Sequence, residues 1–82
     1  MERYHFHIRR AALVVDDPEG VEMPGLAAAH QEAVASIRSI LADELLIGSI
    51  DLSGCVIITD EADSPVLTVP FAEAVEVTGV SH

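Results

Sequence analysis

The sequence predicts an α+β domain of order ββαββ: an antiparallel four-stranded sheet with one long amphipathic helix on one face. Three observations carry this. Residues 3–9 alternate strictly between apolar and polar side chains. Residues 26–47 repeat their apolar positions at three- and four-residue steps. Two short β-branched runs, 55–59 and 66–69, are each bounded by turn residues. A period of two marks a half-buried strand, and a period near 3.6 marks a helix lying on a core.

In the first strand Tyr4, Phe6 and Ile8 point one way, and Arg3, His5, His7 and Arg9 the other. Residues 12–16 read as a second, antiparallel strand. The turn around Arg10-Ala11 has no Asn-Gly or Asp-Gly signal, so its register stays open. Asp17-Pro18-Glu19-Gly20 is a turn, with proline presetting φ and glycine taking the positive φ that follows. Val21-Glu22-Met23 adds a few extended residues before Pro24-Gly25. The helix then runs from Leu26 to about Ile47. Leu26, Ala29, Ala33, Ile37, Ile40, Leu41 and Leu45 form its apolar stripe. His30 borders that stripe as a packing residue. Gly48 stands where a glycine just past the helix end stops it. Cys55–Thr59 is the third strand, Asp60–Ser64 an acidic connection, and Val66–Val69 the fourth strand, opened by Pro65 and ended by Pro70. Residues 71–77 read as a short helix or an edge strand. One domain spans residues 1–77, and 78–82, with His82, form a frayed tail.

Composition narrows the function. The net charge is −10 and the chain has no lysine, so phosphate neutralisation and adsorption to anionic membranes are both disfavoured. The charge is uneven: residues 1–10 carry three arginines against Glu2, and the remainder carries Arg38 against thirteen carboxylates. The single Cys55 rules out an intrachain disulfide and reads as a structural thiol. No signal-peptide core or membrane-spanning run is present, which points to a cytoplasmic protein.

At this point the residues resemble a known family. Arg3-Tyr4-His5-Phe6-His7-Ile8, Asp17-Pro18-Glu19-Gly20-Val21-Glu22, Leu26-Ala27-Ala28-Ala29 with Glu32-Ala33, Ile58-Thr59-Asp60-Glu61 and Leu67-Thr68-Val69-Pro70-Phe71 look like a group of short, mostly alphaproteobacterial proteins. That group is known only as a domain of unknown function and opens with Arg-Tyr-Phe-Phe-His. The resemblance covers roughly residues 3–75 and implies a small stand-alone cytosolic protein without an assigned activity. Three departures stand out. His5 replaces an aromatic residue, Arg10-Ala11-Ala12 replaces an Asp-Gly type of turn, and Gly25 takes the place of an aspartate helix cap. More loosely, an extended N-terminal half followed by an alanine-rich helix is similar to partial folds of HicB-type antitoxins.

No catalytic constellation emerges and no cofactor is expected. His5 and His7, two residues apart on one strand face, are the ligand-like pair. A His-x-His metal site there would need a third ligand, and flanking Arg3 and Arg9 oppose a cation. Neither acidic cluster, Asp16/Asp17/Glu19/Glu22 or Asp60/Glu61/Asp63, has the spacing of a calcium loop. Half the residues are hydrophobic, a large supply for so short a chain. The third strand is apolar on both faces and the single helix covers one. These point to a non-enzymatic protein-interaction module, a homodimer through its open sheet face or an edge, with Arg3, His5, His7 and Arg9 as the interaction surface for its own copy or an unidentified protein partner. The alternatives are an antitoxin-like regulator linked to nucleic acid and a metal-binding protein using His5 and His7.

Overall fold

The computed structural model describes residues 1–79. Strands β1 (Glu2–Arg9), β2 (Val14–Val15) and β3 (Val21–Met23) precede helix α1 (Leu26–Leu46), and β4 (Cys55–Thr59) and β5 (Pro65–Pro70) follow it. A single 3-10 turn, Phe71–Ala74, closes the regular structure. The architecture is the expected α+β one. The sheet has five strands instead of four, all pairings are antiparallel, and the main path is β2-β1-β4-β5.

The extra strand has a local cause. β2 pairs Ile8 with Val15 and Arg9 with Val14, and β3 pairs Tyr4 with Val21 and Glu2 with Met23. Both lie along one strand, β1, and the register shifts by two residues between them. The Asp16–Gly20 excursion takes up that shift. At the other end, Arg10 and Leu13 exchange both backbone hydrogen bonds, 2.8 and 3.3 Å, around Ala11-Ala12. Neither alanine has a positive φ. A two-residue hairpin without positive φ splays its strands, and β2 is accordingly two residues long, not the five expected.

Helix α1 ends as its sequence implies. Gly48, at φ +84, donates to the Leu45 carbonyl, and the Ser49 N–H reaches back to Glu44. These two bonds define a Schellman stop. Ala29, Ala33, Ile37 and Leu41 are buried against Tyr4, Val56, Ile58 and Val69, with Phe71 and Ala74 completing the core. The two alanines let the helix approach the sheet closely. The ends of the predicted stripe stay out of the core: Leu26 and Leu45 are exposed, as is His30, which does not pack. The reason is length. A helix of 21 residues runs about 31 Å, against about 27 Å for the eight-residue β1 and about 17 Å for the five-residue β4. The helix overhangs the sheet.

Residues 71–74 take the short-helix option, docked by Arg38 Nε donating to the Ala74 carbonyl at 2.6 Å. Thr78 and Gly79 are exposed and irregular, whereas residues 80–82, including His82, lie outside the described residues. Among the described residues, no helix is long and apolar enough to cross a membrane.

Candidate functional site

Alternation on β1 places Arg3, His5, His7 and Arg9 on the face away from the helix, and each of the four turns toward its own chain. Arg3 donates to the Glu19 carbonyl at 2.8 Å and reaches Glu22 at 3.4 Å. His5 Nδ1 donates to the Asp17 carbonyl at 2.8 Å. Arg9 pairs with Asp16 at 2.7 Å. The basic stripe therefore neutralises the acidic segment Asp16–Glu22.

His7 is more enclosed than either arginine, its side chain 14% exposed against 39% for Arg3 and 37% for Arg9. The Asp17 N–H donates to its Nδ1 at 3.2 Å. A backbone N–H can only donate, so that nitrogen carries no proton, and Nε2 then donates to Thr59 Oγ1 at 3.1 Å. The two imidazoles stack, centroids 6.2 Å apart and planes within 6° of parallel. They line a cleft of about 240 Å³ with Asp16, Asp17, Asp60, Glu61 and Asp63. Among the described residues, no three His, Cys, Asp or Glu side chains converge as metal ligands. Both nitrogens of His7 already have partners within the chain. Nitrogen-detected spectra at neutral pH are expected to show His7 as the Nε2–H tautomer and His5 with a proton on Nδ1. Two nitrogens of His7 with averaged shifts would contradict the assignment.

Asp17 holds this face together. Its carboxylate accepts the Phe6 N–H at 3.1 Å and the Gly20 N–H at 3.1 Å, replacing the ladder bonds that the excursion takes away from β1. Burial pushes its carboxyl up, but the N–H groups of Gly20 and Phe6, the nearby His5 and the Glu19 N–H outweigh it and hold it below its ordinary value. The folded value is the lower one, so this stabilisation is present above the ordinary aspartate range and is lost as pH falls below about 4. Asp17→Ala is expected to cost about 2–3 kcal/mol, because two backbone donors lose a charged acceptor. Equilibrium denaturation and faster amide exchange at Phe6 and Gly20 would register it.

The acidic turn Asp60–Ser64 is also structural. The Asp60 carboxylate accepts the Ala62 and Ser64 N–H groups at 2.9 and 3.0 Å, and Asp63 takes the left-handed conformation at φ +63.

A second cluster went unread in the sequence. Arg10 continues the helix-facing parity of Tyr4, Phe6 and Ile8, and its side chain is 6% exposed. It forms a two-pronged pair with Glu44 at 2.5 and 3.1 Å, donates to the Asp51 carbonyl, and lies 4.4 Å above the Phe71 ring. The hydrogen bond from Arg10, joined by the Asp51 N–H, holds the Glu44 carboxyl below the usual range. This clamp ties the first hairpin to the helix end.

Next to the clamp lies the third feature, a groove of about 410 Å³ lined by Leu41, Leu45, Ile50 and Val77 together with Arg38 and Glu76.

An antiparallel sheet under one overhanging helix, with a pinned histidine pair on its far face, defines a small single-helix α+β class. The chain belongs to the family described as Domain of unknown function (DUF6894), which it matches over residues 3–72. No curated protein and no solved structure matches it.

Proposed function

We propose that this chain is a non-enzymatic protein-interaction module whose working form is a homodimer. One observation carries the reading: Leu45, Leu46 and Ile47, at the overhanging helix end, are 67%, 86% and 82% exposed. Burying such side chains is worth about 1.5–3 kcal/mol each, so three in succession supply a real driving force for association. The outer sheet face, the surface first indicated by alternation, supports the reading less well. Arg3, His5, His7 and Arg9 are each engaged by the Asp16–Glu22 segment. A partner binding there would have to displace that segment.

Analytical ultracentrifugation across the micromolar range tests the proposal, with a mass of two chains as the expected result. A monomer at high micromolar concentration would refute it.

A further inference from the structure

We infer that the homodimer forms through the overhanging end of α1, with Leu46 and Ile47 of each copy entering the groove beside Leu45 and Ile50 of the other; this rests on the homodimer reading above. Four observations favour a second copy as the occupant. The first is placement. The most exposed apolar pair and the apolar groove share one segment, since Leu45 and Ile50 line the groove and Leu46 and Ile47 lie between them in the chain. A projection next to a cavity of matching character is self-complementary about a two-fold axis, the arrangement of an isologous interface.

The second is charge. Each copy carries −10, so contact through most of the surface would oppose carboxylates to carboxylates. Residues 45–50 carry no charge at all.

The third is the pair of charged groups in the groove. Arg3, Arg9 and Arg10 each hold a carboxylate of their own chain. Among the described residues, Arg38 has no ionic partner, and neither has Glu76. Both are exposed. Arg38 spends its Nε on the Ala74 carbonyl, which leaves its two terminal nitrogens free to pair outward. A two-fold axis through the groove brings Arg38 of one copy to Glu76 of the other, twice.

The fourth is area. Leu45, Leu46, Ile47, Ile50 and Val77 are each at least 46% exposed. Together they present roughly 600 Å² per copy, the upper limit of what a monomer leaves open. Two copies facing each other would bury on the order of 1,200 Å², where specific stable interfaces begin.

Sedimentation of the intact chain and of four variants tests this. Leu46→Asp with Ile47→Asp, at positions outside the core, is expected to weaken dimerisation at least about a hundredfold, because two charges per copy would enter an apolar contact. Arg38→Glu and Glu76→Arg are each expected to weaken it about tenfold, and their combination to restore it. The combination still lacks the bond to Ala74, so recovery would come from the intermolecular pair and not from repaired folding. Circular dichroism melts confirm that each variant is folded. A wild-type chain that stays monomeric overturns the homodimer reading itself. A dimer that survives the double aspartate variant overturns this interface and leaves that reading standing. Failure of the combined charge reversal to restore association overturns the pairing of Arg38 with Glu76.

Discussion

Arg10→Ala is expected to be among the most destabilising single substitutions in the chain, costing about 3 kcal/mol and lowering the melting temperature by about 12 °C or more. The side chain is a guanidinium enclosed on the core side of the first hairpin, where a charge is tolerated only if it is paired. Its partner, Glu44, sits in the last turn of α1, where a carboxylate opposes the helix dipole. Arginine cancels that opposition and bridges to the loop at Asp51 while covering Phe71. Removing it leaves a carboxylate at the wrong helix end, an open space over an aromatic ring and a loop without its tether. Arg10→Met keeps the cover over Phe71 and is expected to lose less. Arg10→Met combined with Glu44→Leu is expected to recover most of the loss, since apolar replacement of an enclosed ion pair is often neutral. Urea denaturation of the three variants decides the order. Equal losses in all three would show that neither the cover over Phe71 nor the unpaired Glu44 carboxylate accounts for the cost.

The second large effect is expected at Gly54. This residue stands at φ +91, and a Cβ there would lie 2.4 Å from the Arg9 carbonyl and 2.8 Å from Arg10 Cγ. Its own carbonyl accepts the Phe71 N–H at 3.1 Å, so the loop cannot move away without breaking the link to the 3-10 turn. Gly54→Ala therefore combines a left-handed backbone with a backbone clash, and a loss of about 3–4 kcal/mol is expected. Gly48→Ala is the internal control. Gly48 has a similar φ of +84 with nothing within 4 Å of the added carbon. It carries the conformational penalty alone, about 1 kcal/mol. Thermal melts of the two variants separate the contributions, and near-equal shifts would mean the clash is relieved by movement of the Arg10 backbone.

The elements whose signal is periodic were legible in the residues. The alternation of Tyr4, Phe6 and Ile8 against Arg3, His5, His7 and Arg9 located β1 and both of its faces. The spacing of Ala29, Ala33, Ile37 and Leu41 located the buried helix face, and Gly48 its end. The split of the edge strand was not legible, because it depends on a side chain: Asp17 takes over two backbone donors, and no propensity encodes that. Val21–Met23 did read as extended, and its pairing partner could not be read.

The Arg10 clamp was within reach. Parity along β1 puts position 10 on the core face, and a charge on that face requires a carboxylate opposite. The turn at Arg10-Ala11, between Arg9 and the following alanine, masks that alternation. The fate of the histidine pair was not readable. Spacing placed His5 and His7 on one face, and the fact that the Asp16–Gly20 segment folds over to occupy their nitrogens is a tertiary event.

The interruption of the β2–β3 edge has a consequence for how this protein meets other unfolded chains. An intruding strand needs an uninterrupted row of backbone donors and acceptors to template on. On this side it meets two residues, then a charged excursion, then three residues. On the opposite side β5 begins and ends with proline, a residue that cannot donate to a fifth lane. A domain with a half-hydrophobic sequence thus keeps the uninterrupted length of both of its borders short. Short borders of this kind disfavour fibril growth through the backbone.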